Sequence, residues 1–369
     1  MRFTLRAREP RWLAPAAVVV AVLATLALTA GPIRLAGAAP LSAFERYVVT
    51  PLTTGNGIAE VLLSATPLLF TGLAVAIAFR VGYYNIGAEG QFLAGAMATT
   101  AVAFTAPDLP AAVALPLGVL GGALGGLVWA FLPALLRRRA GIDEVVTTLL
   151  LNPVAVLLLQ GLLNGPWRNP QTGFPDSETF GSGYELPALF GSRVHAGLVL
   201  GLVLVAVATV VLMATPLGVR LRAAGQSPAA AEFSGVRVGV LQWRSALVSG
   251  AVAGMGGASQ VLGVQHQLTG SIAAGYGYTG VVVATLGGLS ALGVLAVAVL
   301  LADVQVGAQS ASIALQLPSQ MGGVLTSVLL LAVVAALSAR RYRLVRSTPR
   351  APDPPPDPRA DRPLQSVEG

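Results

Sequence analysis

Residues 279–302 read TGVVVATLGGLSALGVLAVAVLLA, 24 residues without a charge. About 20 apolar residues are enough to cross a bilayer core as a helix, so length alone makes this one span. The run Gly287-Gly288-Leu289-Ser290 in its middle argues otherwise. Read as one helix, the stretch brings the chain to nine spans and leaves its two ends on opposite sides. Yet Arg340, Arg341, Arg343 and Arg346 directly follow the last apolar stretch, and arginine clusters favour the cytoplasm. The conflict disappears if 272–308 crosses twice, broken at 287–290. Broken helices are tolerated where they line a protein cavity. The expectation is then ten spans with both ends inside.

Outward from this stretch, the other spans fall near 12–31, 58–79, 86–105, 111–136, 143–165, 194–215, 245–264 and 321–339. The first is flanked by Arg2, Arg6, Arg8 and Arg11, as a signal peptide is, but its apolar length and the spans that follow read as a retained helix. All 23 basic residues are arginine, and on this topology 19 lie inside. Only Arg34, Arg46, Arg168 and Arg193 lie outside. Seven of the 19 are in the tail that chose the topology; the other 12 are independent support. Hydrophobic residues make up 54% of the chain and charged ones 11%, against about 25% charge in soluble domains. That excludes an ordinary cytosolic enzyme, and it excludes disorder for most of the chain. The net charge of +7 is spread over separate loops, which excludes a nucleic-acid face. With no cysteine and two histidines, a disulfide framework, a thiolate metal site and a His-rich metal centre are not expected. No cofactor is expected either. The fold class is all-α, a polytopic helical membrane protein: a cytoplasmic segment 1–11, a membrane domain 12–346 and a disordered Pro-rich cytoplasmic tail 347–369.

Polar groups inside a membrane domain are costly and usually face a cavity or the bundle interior. The run Gly82-Tyr83-Tyr84-Asn85-Ile86-Gly87-Ala88-Glu89-Gly90-Gln91 opens a span. Asn85 can cap that helix, with Glu89 near its favourable dipole end; alternatively, Glu89 orders a pore or gate. In Asp143-Glu144-Val145-Val146-Thr147-Thr148 through Asn152-Pro153, the acids start a helix. Thr148 and Asn152 then share one face, either as packed interhelical contacts or as pore lining. Glu60 and Asp303 are expected near outer ends. The polar run Gln305 to Gln316 is too polar for lipid and faces a vestibule or protein. His195 and His266 read as packing residues. Gly118, Gly121, Gly122, Gly125 and Gly126 stripe one span, and Gly250, Gly254, Gly256 and Gly257 another, which allows close helix contact. The outer segment 166–193 either caps the pore, meets an external partner or simply connects.

The longest inner loop, 216–244, contains a short helix from Ser227 to Phe233, with Ser227 as N-cap, Pro228 first and Gly235 after its end. Its slim alanine surface suits a groove on another protein, or the loop lies on lipid.

At this point the residues carry a resemblance. Tyr84-Asn85-Ile86-Gly87-Ala88-Glu89-Gly90-Gln91, Asp143 to Asn152, Leu221-Arg222-Ala223-Ala224-Gly225 through Ala230-Ala231 to Gly235-Val236, and Gly275-Tyr276-Gly277-Tyr278-Thr279-Gly280 are similar to motifs of permease subunits of bacterial ABC importers. The class includes simple-sugar and branched-chain amino-acid permeases, and the match is nearest its nucleoside-type branch. Tyr84, Asp143 and Pro153 depart from the usual pattern. The resemblance implies a non-enzymatic pore subunit of the bacterial plasma membrane for a nucleoside or simple sugar. It also implies a separate cytoplasmic ATPase subunit, a second and related permease chain forming a heterodimer, and an external substrate-binding lipoprotein. With no lysine, the chain cannot carry a phosphate-binding Gly-x-x-x-x-Gly-Lys-Ser/Thr loop. The residues expected at the pathway or gate are Asn85, Glu89, Gln91, Thr148 and Asn152. Those expected to couple to the ATPase are Arg222, Gly225, Ala230, Ala231 and Gly235. The rival readings are an ion-coupled secondary transporter, which lacks enough mid-span carboxylates, and an intramembrane enzyme, which lacks a nucleophile–base pair.

Overall fold

The computed structural model describes residues 2–5, 13–189, 191–318, 320–339 and 342–345. Among them are thirteen α-helices: α1 Leu13–Leu35, α2 Pro40–Phe44, α3 Gly55–Phe79, α4 Ala88–Thr105, α5 Ala111–Ala140, α6 Glu144–Asn164, α7 Gly197–Ala214, α8 Pro216–Gln226, α9 Pro228–Phe233, α10 Val238–Gln260, α11 Tyr276–Leu286, α12 Ala291–Leu315 and α13 Gln320–Ala339. A short antiparallel ribbon, β1 Arg2–Leu5 with β2 Tyr342–Val345, departs from the all-helical expectation. It sets the start of the chain beside the end of α13. The tail 347–369 lies outside the described residues, as do Arg6, Arg8, Arg11, Arg340 and Arg341.

Six helices among the described residues are long and apolar enough to cross a membrane: α3, α5, α6, α7, α10 with the turn after it, and α12. The break expected at 287–290 is present. α11 ends at Leu286, Gly288 and Leu289 take positive φ, and the Ser290 hydroxyl caps α12 by accepting from Gly293 N at 3.1 Å. The two halves are unequal. At 1.5 Å per residue, the 11 residues of α11 reach only about 16 Å, while the 25 of α12 reach about 37 Å. The chain before α11 unwinds into a π turn over 261–265 and a 3-10 turn over 270–272.

Because these helices are apolar all round, hydrophobicity does not choose which face turns inward. Small residues do, by letting backbones approach. The central helices are α3 and α10, with 83% and 67% of their apolar windows buried, against 22% in α6 and 28% in α5 and in α7. The glycine stripes meet. Gly122 and Gly126 of α5 face α10, where a Cβ on Gly254 would land on the Gly122 carbonyl and one on Gly250 on the Gly126 carbonyl, and Gly118 faces Leu262 just past the end of α10. Gly121 and Gly125 face α4. Thr99 Oγ1 of α4 adds a hydrogen bond to the Gly118 carbonyl at 2.9 Å. The backbones have no room to give, so Gly254→Val is expected to cost about 1–3 kcal/mol or more by overpacking and to lower the thermal midpoint in detergent. Gly239→Val, on the same helix with nothing within 4 Å of a Cβ, is the control and should leave the midpoint nearly unmoved.

Candidate functional site

The α5–α6 hairpin turns at Gly141, whose φ of 66° ends α5 in the left-handed conformation. Asp143 then caps α6, its carboxylate accepting from Val145 N at 2.7 Å. Glu144 pairs with Arg137 of the preceding helix. From there Glu144, Thr148 and Asn152 rise as a buried i, i+4, i+8 stripe, with Leu149, Leu150, Val154, Leu157 and Leu158 exposed on the opposite faces.

That stripe reads a stretch of backbone. Residues 83–87, between α3 and α4, are not helical, so their buried amides need outside partners. Tyr84 N donates to Glu144 at 3.1 Å, Ile86 N to Thr148 at 3.2 Å and Gly90 N to Asn152 at 2.9 Å. Asn152 returns a bond to the Ile86 carbonyl at 2.9 Å. Thr148 and Asn152 thus make interhelical contacts.

Asn85 does not cap α4 as expected. The N-cap is Gly87, and the Asn85 side chain accepts from Gly87 N at 2.9 Å in a local turn that delays the helix. Its amide meets Gln91 at 2.8 Å and Ser249 at 2.9 Å, and Ser249 donates to the Ala74 carbonyl at 2.6 Å, which ties α3, α4 and α10 together. Glu89, in the first turn of α4, turns to another helix start: it accepts from Gly275 N at 3.0 Å and Gly277 N at 2.6 Å, fixing the N-terminus of α11. The five residues expected at the pathway or gate therefore form one buried, hydrogen-bonded node.

On α11, α12 and α13 lies a cleft of about 810 Å³. Tyr276, Tyr278 and Thr279 line it from α11, Gln305, Gln309 and Ser312 from α12, and Thr326 and Ser327 from α13. Among the described residues its lining includes aromatic rings, amides and hydroxyls and no charged side chain. None of the five node residues lines it; Glu89 reaches it only through α11. The polar run from Gln305 signalled the α12 wall in advance, whereas the α11 tyrosines and the α13 hydroxyls were not singled out for it.

The inner loop folds as α8 and α9. Pro228 opens α9 as expected, and Gly235 follows it at φ 81°. Ser227 occupies the N-cap position, but its side chain makes no cap bond. Ala231 is buried, Ala230 and Arg222 are exposed, and Phe233 is 95% exposed. Gly225 lies against the end of α3, where a Cβ would overlap the Arg80 carbonyl. Arg80 in turn donates to the Leu289 carbonyl in the α11–α12 turn at 2.8 Å.

Other expectations fall as follows. Glu60 is at the surface and pairs with Arg193 at 3.0 Å. Asp303 is not near a helix end. It is buried at the middle of α12, because that helix starts only after the 287–290 break. His195 is packed, its Nδ1 accepting from Gly197 N at 3.1 Å. The outer segment folds onto the stretch before α11, with Ser177 N donating to Leu268 O at 2.9 Å and Phe180 N to His266 O at 2.8 Å.

Apolar helices long enough to cross a membrane, packed beside an uncharged polar cleft, define a polytopic membrane protein. The chain belongs to the family described as branched-chain amino acid transport system / permease component, whose model matches residues 57–334. It is 34% identical over 350 residues to a glucose ABC transporter permease protein of Haloferax volcanii, covering 92% of each chain. It is 32% identical to a guanosine ABC transporter permease protein of Bacillus subtilis, covering 77% of this chain and 82% of that one. It is 30% identical to a nucleoside ABC transporter permease protein of Lactococcus lactis, covering 73% and 77%. No solved structure matches. The chain is a permease subunit of an ABC importer, a multi-pass protein of the plasma membrane.

Proposed function

We propose that this subunit forms one wall of an import pathway for a neutral polyhydroxylated solute, a nucleoside first and a simple sugar second. The observation that carries this reading is the uncharged cleft of α11, α12 and α13. A branched-chain amino acid is a zwitterion and would need paired charges there, since burying an unpaired ion is costly. Two tyrosines, two glutamines and several hydroxyls instead suit a base and a ribose: aromatic faces stack on bases, and amides bond their edges or the sugar hydroxyls. The glucose-named relative keeps the sugar reading in play.

Asn85, Gln91, Thr148 and Asn152 hold the frame of the gate in this account, and Glu89 sets α11 as its moving wall. ATP is hydrolysed on a separate cytoplasmic subunit, whose groove receives residues 220–236. Arg222, Gly225, Ala230, Ala231 and Gly235 serve that coupling. Gly225 against Arg80, and Arg80 on Leu289, supply a continuous contact from the loop to the hinge of the cleft. A second, related permease chain closes the cleft over its exposed rim, where Ile313 is 83% exposed. An external lipoprotein delivers the solute. Both termini face the cytoplasm, a placement supported by the β1–β2 pairing and the arginine distribution.

Gln309→Leu tests the cleft, because Gln309 lines it and is exposed to whatever enters. Losing one neutral hydrogen bond is worth about 0.5–1.5 kcal/mol, so the KM for uptake by the reconstituted importer should rise roughly two- to tenfold. An unchanged KM across nucleosides and sugars would place the pathway elsewhere.

A further inference from the structure

A second pocket lies at the opposite end of α12 from its polar run. It has a volume of about 210 Å³ and sits where α3, α7, α8 and α12 converge. Arg80 and Arg222 both line it, with Thr209 and Ser290 hydroxyls beside them. Among the described residues neither arginine is paired with a carboxylate; the ion pairs there are Arg137–Glu144 and Arg193–Glu60. The Nε of Arg80 is buried without a partner. Two like charges held together need a reason. Burial, and next the neighbouring Arg222 guanidinium, push the Arg80 pKa below its ordinary value.

The pocket also contains the start of α12. Ser290 caps Gly293 N, leaving the amides of Ala291 and Leu292, at the first two helical positions, without intrahelical partners. Free amides at a helix N-terminus with guanidinium groups beside them form an anion site, and guanidinium forks match phosphate oxygens. Around this polar floor stand Leu212, Met213 and Leu292, the last two 68% and 58% exposed. They give the pocket an apolar lip.

We propose that this pocket binds a phosphate group, bridging Arg80 and Arg222 at the N-terminus of α12. The apolar lip makes the headgroup of an anionic phospholipid the favoured source over free phosphate. The site joins the coupling loop to the α11–α12 turn, because Arg222 is in α8 and Arg80 holds Leu289. An occupied pocket neutralises the pair and fixes the loop against the turn. The proposal stands whether or not the solute is a nucleoside, since its test reads stability and not uptake.

The test uses the full chain in phosphatidylcholine nanodiscs, in three forms: unchanged, Arg222→Gln and Arg80→Gln. The thermal midpoint is read with phosphatidylglycerol in the disc, with inorganic phosphate added to phosphatidylcholine discs, and with neither. Phosphatidylglycerol is expected to raise the midpoint of the unchanged chain, and Arg222→Gln is expected to lose at least half of that rise. Arg222 is exposed, so this variant should fold even if Arg80→Gln does not. A rise with inorganic phosphate alone, lost in Arg222→Gln, keeps the phosphate site and assigns it to a soluble source. An equal rise in the unchanged chain and Arg222→Gln, or no rise with either additive, overturns the proposal.

Discussion

Glu89→Ala is expected to reduce ATP-driven uptake at least tenfold in the reconstituted importer. Both oxygens of this carboxylate are used by another helix, accepting from Gly275 N at 3.0 Å and Gly277 N at 2.6 Å. Removing it leaves two amides at the start of α11 without their partner. Bonds to a charged group are worth about 1.5–3 kcal/mol each, and an anion at a helix N-terminus adds somewhat less. The loss falls on the helix that presents Tyr276, Tyr278 and Thr279 to the cleft, so the pathway wall should loosen before the bundle does. Glu89→Gln keeps one acceptor but turns an NH2 group toward the other donor, and should fall between the two. Initial uptake rates, read beside the thermal midpoint of each variant, check this. Full uptake by Glu89→Ala would remove α11 from the gate.

Gly225→Val should give an equally large loss of a different kind. A side chain at 225 meets the Arg80 carbonyl and the Gly82 amide, both backbone, so α8 must lift away. On the proposed docking, α9 would remain available to the ATPase, while the contact of the loop with the α3 end and the α11–α12 turn would be cut. The expected result is an assembled complex that hydrolyses ATP while uptake drops about tenfold or more, the scale set by roughly 1–3 kcal/mol of overpacking at a rigid contact. Measuring both activities on one preparation separates uncoupling from misfolding.

Much of this was legible in the residues, and the failures have physical causes. The break at Gly287–Ser290 could be read from its Gly-Gly-Leu-Ser run, where two glycines precede a serine able to cap the next helix. The Thr148–Asn152 face followed from helical spacing alone. The α9 helix followed from Pro228 and Gly235, whose backbone preferences are local. Asn85 was misplaced because a short polar side chain can cap a helix or form a turn two residues earlier, and the tertiary bonds to Gln91 and Ser249 decided between them. Asp303 was set too near an end because the start of α12 depends on where the break falls. The cleft was only half legible. The run from Gln305 marked its α12 wall, but Thr326 and Ser327 stand in an apolar helix whose inward face no hydropathy pattern reveals.

The most direct test of the account is uptake of radiolabelled nucleosides, simple sugars and leucine into liposomes holding this chain with its partner permease, its ATPase and its binding protein. The account predicts uptake of a nucleoside or a sugar that requires ATP, excludes leucine, and weakens with Gln309→Leu. Uptake of leucine, or uptake that follows an ion gradient without ATP, would contradict it.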